Sequence, residues 1–272
     1  MKWSYPYATP ETTLPILGYR GEADDVFPLL KELGYKGIEP FVRNPKDFDV
    51  KRFTKQLDKH GLEVAAVGTG PVVSEDKLTL SAADPAVREA AVNRAMEIVE
   101  FASLFGSQVS IGKLRGDLDI HQPQQSLSWI RGGLERICEH AERYSIRVTL
   151  EPQNKKNVNN LNTTKETIQF IHDLQIPNLK LMLDVYHMNE EDRSVTQGFW
   201  DGKELLTYVH AADTDRQPPG QGSFDYLKVL RMLQSLNYSG YITMEISQKP
   251  DSFEAAKSAV QHLQALLHLL KD

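Results

Sequence analysis

Cysteine is almost missing. Cys138 is the single one among 272 residues, so no intramolecular disulfide can form, which fits a reducing compartment. No run approaches the roughly 20 apolar residues of a membrane span. The N-terminal stretch MKWSYPYATPETTLPILGYRG also lacks the apolar segment of a secretory signal. A soluble, cytoplasmic protein without a membrane partner is expected. Positive charge is short too: 31 Lys and Arg stand against 37 Asp and Glu, a net charge of −6. That balance gives no electrostatic reason to expect a nucleic-acid partner. There is no low-complexity tract, no linker, and neither the GxGxxG nor the GxxxxGK[ST] pattern of nucleotide-binding open sheets.

What is present is alternation. Strands are expected at Lys2–Tyr5, Lys36–Glu39, Glu63–Val67, Gln108–Ile111, Arg147–Glu151, Leu179–Asp184, Leu206–His210 and Tyr241–Ile246. Between them fall helical patterns with recognisable ends. Ala23–Leu33 stops at Gly34, and a second helix runs from the cap Asp49 to Gly61. Asp84-Pro85 opens a third, with apolar residues every three or four positions until Gly106. Gln124–Tyr144 follows, then a helix from the capping box Thr163 and Glu166 to about Gln175. Thr196–Leu205, Ser223–Leu236 and a last helix from Phe253 to Leu270 complete the set. The stretch Gly68 to Ala83 reads as a long loop. From Glu39 to Glu245 there are six units of roughly 34 residues each. Eight βα units with right-handed crossovers predict a single (β/α)8 barrel spanning residues 1–272 as one domain.

Active sites of such barrels lie at the carboxyl ends of the strands. Four consecutive strands end in a potential metal ligand: Glu151, Asp184, His210 and Glu245, spaced by 33, 26 and 35 residues. Three carboxylates and one imidazole form an oxygen-rich set that suits Mn²⁺ or Mg²⁺, with Co²⁺ and Zn²⁺ as further candidates. A single acidic residue after a strand is usually a helix cap or a solvated loop residue. Four in succession are harder to explain that way.

These residues lie in segments that resemble a known family, the xylose isomerase-like sugar isomerase and epimerase barrels, which include the D-tagatose and D-psicose 3-epimerases. The resemblance covers the chain from strand two onward. It is carried by GTGP at Gly68–Pro71, IGKLRG at Ile111–Gly116, LEPQN at Leu150–Asn154, LDVYHMN at Leu183–Asn189, HAADTDRQPPGQG at His210–Gly222 and YITMEI at Tyr241–Ile246. It implies that Glu151, Asp184, His210 and Glu245 bind one divalent metal. It also implies that His187 and Arg216 hold substrate oxygens, and that Glu151 and Glu245 are the catalytic pair. Where the family has a second Glu after the strand-five ligand, this chain has Asn157, within NKKNVNN, so Asn157 is a substrate-binding candidate with an altered side chain.

The implied activity is enediolate proton transfer on a ketose or related keto sugar, above all 3-epimerisation, with aldose–ketose isomerisation as a variant. A decarboxylase or binding protein for a sugar acid on the same scaffold is an alternative, and so is an apurinic-endonuclease-like phosphodiesterase. The expected partner is a small sugar, and the chain is compatible with a monomer or a homo-oligomer.

Further candidates come from position alone. Glu39 ends strand two and is a candidate for the pocket wall. Lys113, Arg115, Lys155 and Lys156 are loop cations whose plain reading is solvation. Tyr7, Phe41, Tyr186 and Trp200 are candidates to stack on a sugar. Gly220 and Gly222 could bind a phosphate, although a turn explains them equally. Cys138 reads as a helix thiol without chemistry.

Overall fold

In a computed structural model that describes residues 1–270, eight parallel strands close into a barrel ringed by helices. The strands are β1 (Lys2–Ala8), β2 (Gly37–Phe41), β3 (Glu63–Val64 continued by Ala66–Gly68), β4 (Gln108–Ile111), β5 (Val148–Leu150), β6 (Leu179–Asp184), β7 (Leu206–His210) and β8 (Tyr241–Thr243). Each pairs with its sequence neighbour, and β1 pairs with both β2 and β8, which closes the ring. The barrel helices are α1 (Ala23–Glu32), α2 (Val50–His60), α3 (Pro85–Ser103), α4 (Pro123–Glu142), α5 (Thr164–Leu174), α6 (Val195–Gly202), α7 (Tyr226–Ser235) and α8 (Ser252–Leu269). No helix among the described residues is long and apolar enough to cross a membrane.

The local rules explain why these segments fold as they do. Asp49, Asp84, Thr163, Asp225 and Asp251 each cap a helix by accepting a main-chain N–H, and Thr163 with Glu166 forms the complete capping box. Gly61 ends α2 at φ 58°, a conformation open to a residue without a Cβ.

In β6 the alternation sorts the side chains into two layers. Leu181 and Leu183 face α6, where a Cβ on Gly202 would strike Leu181. Met182 points the other way, packing with Ala65, Ala66 and Tyr208. Asp184 shares that inward parity and ends the strand at the barrel mouth.

Several expected boundaries differ: β1 runs on to Ala8, and β2 runs on to Phe41, so Glu39 lies within its strand rather than at its end. The third strand is interrupted at Ala65. The eighth stops at Thr243 rather than Ile246, and the Met244 N–H donated to Ser4 O (3.2 Å) is its last bond to β1. The long loop after β3 contains a short helix, Gly70–Ser74, that its composition does not announce.

Candidate active site and metal centre

The inward parity of the strand ends brings Glu151, Asp184, His210 and Glu245 together, and β6–β7 register sets Asp184 directly beside His210. Single ligand atoms of Asp184, His210 and Glu245 lie within 4.8 Å of one another, as do those of Glu151, Asp184 and His187. His210 Nδ1 is 3.7 Å from Glu245 Oε2 and 4.0 Å from Glu151 Oε1. Two of these atoms, Glu151 Oε1 and His210 Nδ1, are buried without a hydrogen-bond partner. Buried polar atoms are rarely left so. An ion between them would satisfy both, so the donor set fits a divalent cation.

The other nitrogen of His210 is occupied. Nε2 meets Glu39 Oε2 at 2.7 Å, and Glu39 also accepts from Tyr208 Oη (2.9 Å) and Ser110 Oγ (3.2 Å). Glu39 is fully buried, and this contact holds the proton on Nε2 and turns Nδ1 to the site as the nitrogen that would give up its proton to ligate an ion. The chain of contacts runs on from Tyr208 to Thr243 and Ser4.

Arg216 closes the arrangement. Its Nη1 lies 2.6 Å from Asp184 Oδ2 and 2.9 Å from Glu245 Oε2, its Nη2 donates to His187 Nε2 at 2.9 Å, and its guanidinium covers the Tyr186 ring. Arg216 and its neighbour Asp215 both adopt left-handed backbone, φ 58° and 56°. Two such non-glycine residues in sequence store strain that the surrounding loop must hold. Asp213 holds it. Fully buried, its carboxylate accepts the main-chain N–H groups of Thr214, Gly220 and Phe224, each at 2.9 Å. Those contacts give Gly220 a turn role and leave its amide engaged, against the phosphate reading of this loop.

His187 lies on the short helix Val185–Glu191 and is buried, with Asn154 N–H 3.3 Å from Nδ1 and Asn157 Nδ2 3.5 Å from Nε2. Burial, opposed in part by Asp184, brings its pKa down to about 4, so the ring is neutral. Burial likewise pushes the Glu151 carboxyl up to about 7 against the pull of His210. Burial works against the Asp184 carboxylate too, but Arg216 and His187 outweigh it and hold it at about 2. At His210 burial opposes the charged ring, yet Glu39 and Glu245 keep it well above the usual imidazole range. Glu245 is held below the usual carboxylate range because Arg216 and His210 overcome its burial.

A cleft of about 380 Å³ opens over these groups, with Glu39, Phe41, Asn157, Tyr186 and Arg216 in its wall. Two aromatic candidates fall elsewhere: Tyr7 packs in the core against Phe27 and Phe53, and Trp200 is half exposed beside Lys203. Lys155 and Lys156 pair with Glu191 and Glu190 in solvent, although Lys156 also borders the cleft.

Arg115 does not face water. It is wholly buried and donates to the carbonyls of Glu151 and Gly112, both at 2.8 Å, and to Asn160 Oδ1 at 3.1 Å. It thereby fixes the main chain of the strand-five carboxylate. Gln153, which donates to Glu151 Oε2, and Asp213 are the other residues that sequence reasoning missed. The signal for Asp213 was available, since it lies within the segment HAADTDRQPPGQG.

A ketose 3-epimerase of Arthrobacter globiformis is 27% identical over 218 residues, 79% of this chain and 74% of its own length. A 3-dehydro-D-guloside 4-epimerase of Escherichia coli is 33% identical over 111 residues, 40% of this chain and 42% of its own. The solved structure of an L-ribulose 3-epimerase superposes with a TM-score of 0.82 at 22% identity, covering all of this chain and 97% of its own. The xylose isomerase-like TIM barrel family matches residues 27–266, and the chain belongs to it.

Proposed function

We propose that the protein is a divalent-metal-dependent epimerase that inverts the carbon beside the carbonyl of a keto sugar, in the first instance C3 of a ketose, and that residues 1–272 act as one domain. The observation that supports this most is the convergence of Glu151, Asp184, His210 and Glu245 at one barrel mouth, with Glu151 Oε1 and His210 Nδ1 buried and unpartnered. Both epimerase names among the relatives describe inversion next to a carbonyl, at C3 of a 2-ketose or at C4 of a 3-keto sugar. Neither decarboxylation nor phosphodiester cleavage is favoured by those relatives.

Glu151, Asp184, His210 and Glu245 would hold the metal, with Mn²⁺ our choice for this oxygen-rich set. A bound divalent ion supplies Lewis acidity to the carbonyl oxygen and its neighbouring hydroxyl. The rest falls to the chain. Glu39 keeps the His210 proton on Nε2, away from the ligating nitrogen. Glu151 and Glu245 approach His210 Nδ1 from different strands, so they can face a bound sugar carbon from two sides. One carboxylate takes the proton from the carbon and the other delivers a proton to the opposite face, which inverts the centre. Arg216 donates to the sugar oxygens and orients that carbon between the carboxylates, and neutral His187 acts on the sugar through Arg216, accepting from its Nη2.

The test is deuterium incorporation from heavy water with Mn²⁺ present, across ketoses and 3-keto sugars, read by NMR. Label should enter at one carbon beside the carbonyl, and Glu151→Gln and Glu245→Gln should each slow exchange by ~10²–10⁴-fold. Absence of exchange with every sugar, at full metal occupancy, overturns the proposal.

A further inference from the structure

Beside the cleft lies a second compartment of about 350 Å³, and Lys113 and Asn157 belong to the walls of both. Asn157 stands at the junction, with its amide near His187 on one side and the second space on the other. The far wall carries the Trp129 indole, the hydroxyls of Thr79 and Ser81, and the carboxylates of Asp117 and Asp119.

The walls are tied to one another. Leu118 N–H donates to Asn159 Oδ1 at 2.7 Å, Asn159 Nδ2 returns to Leu118 O at 2.9 Å, and Asn159 N–H donates to Asp117 Oδ1 at 2.8 Å. Asn160 Nδ2 donates to Gly116 O at 2.8 Å, and the same Asn160 receives Arg115, the residue that fixes the Glu151 main chain. The second compartment is therefore formed in advance and held in register with the carboxylate pair. Preformed concave space with a few fixed polar groups is the hallmark of a ligand site.

We propose that this compartment is a substituent subsite: the substrate is a keto sugar bearing a neutral, hydroxylated group, such as a second sugar ring or the aglycone of a glycoside, which passes between Lys113 and Asn157. This rests on the epimerase reading and specifies its substrate class. The chemistry of the wall selects the group. Arg88 covers one face of the Trp129 ring, and the remaining indole surface offers apolar contact to a sugar, while the wall hydroxyls donate and accept and the carboxylates accept from ring hydroxyls. Lys113 in the wall and Arg88 over the Trp129 ring balance Asp117 and Asp119, so the compartment has no net charge with which to select an ion.

The experiment compares 3-keto-D-glucose with its methyl glycoside and with a disaccharide in which the 3-keto ring carries a glucosyl group. Binding is read by calorimetry and reaction by deuterium exchange, both on the Mn²⁺-loaded protein. The glucosyl-bearing sugar should bind roughly tenfold more tightly than the free keto sugar. Trp129→Ala should abolish that gain. Ala83→Trp, a substitution at an exposed wall residue that fills the compartment, should abolish it too while leaving the free keto sugar unaffected. Equal affinity for substituted and free sugars in the wild-type protein overturns the subsite, as does an Ala83→Trp variant that retains the gain. Exchange with free and substituted sugars at equal efficiency would sink the subsite and leave the epimerase standing. Tight glycoside binding without exchange would do the reverse.

Discussion

Two layers of the barrel are built on opposite rules. Between strands and helices lies an apolar annulus, where Leu181, Leu183, Ile137 and Ala256 are buried among side chains of similar kind. Inside the ring lies a polar column, Ser4, Thr243, Tyr208, Glu39 and His210, in which each member contacts the next. The annulus is bulk, non-directional stabilisation that many residue choices would satisfy. The column has few solutions, because a buried polar group left unpaired is expensive. Stability and function are thus housed in separate layers that share strands but not side chains.

That separation can be broken by experiment. The largest stability effect is expected from Leu181→Ala, about 2–5 kcal/mol by the usual scale for buried leucine. Chemical denaturation should show the loss while Mn²⁺ affinity, read by calorimetry, stays put. A parallel fall in affinity would mean that the layers are coupled. Glu39→Gln should behave in the opposite sense, weakening Mn²⁺ binding by roughly 10–100-fold through His210 with a much smaller change in stability. Next comes Asp213→Asn, which keeps the shape but removes an acceptor from the Arg216 loop. It should lower kcat/KM several-fold and have no added effect in an Arg216→Gln background, since the two act as one unit. Additive losses would assign Asp213 a role of its own.

The smallest effect concerns the annulus alone. Burial pushes the Cys138 thiol up to about 12. A thiol whose folded pKa is raised stabilises the fold below its unfolded value of about 8.5, and that share is lost as pH rises towards 12. Native protein at pH 8 should therefore resist thiol reagents, and Cys138→Ala should flatten the alkaline decline. Rapid native labelling would show that the annulus opens at that helix.

Much of this was legible in the chain. Strands Gln108–Ile111, Leu179–Asp184 and Leu206–His210 coincide with the expected segments, because a buried parallel strand has a short apolar run with abrupt polar ends. The strand-end acids and His210 stood out because βα units repeat at a near-constant length. The polar column was less visible. Glu39 offered only its position, and its attachment to His210 spans 171 residues of sequence, beyond any local pattern. Arg115 was misread because a loop cation normally faces water. Nothing in KLRG announces that three carbonyls, one from its own loop and two from the loop after β5, will surround its guanidinium. The strain at Asp215 and Arg216 was equally silent, being imposed by Asp213 and the loop around it.

The ring closes where Lys2–Ser4 pairs with Tyr241–Thr243, almost a whole chain length apart. Until that pairing forms, both β1 and β8 present open edges, the arrangement most prone to wrong partners. Glu245 follows two residues after the closing strand, so the fourth member of the centre arrives with the last seam of the barrel. During synthesis, Glu151, Asp184 and His210 all emerge before any complete site exists. A chain released before Tyr241 would carry three acidic or imidazole groups at an unsealed mouth. On the proposed ligand set, competence for metal is a late event in the maturation of this chain, timed by its own topology.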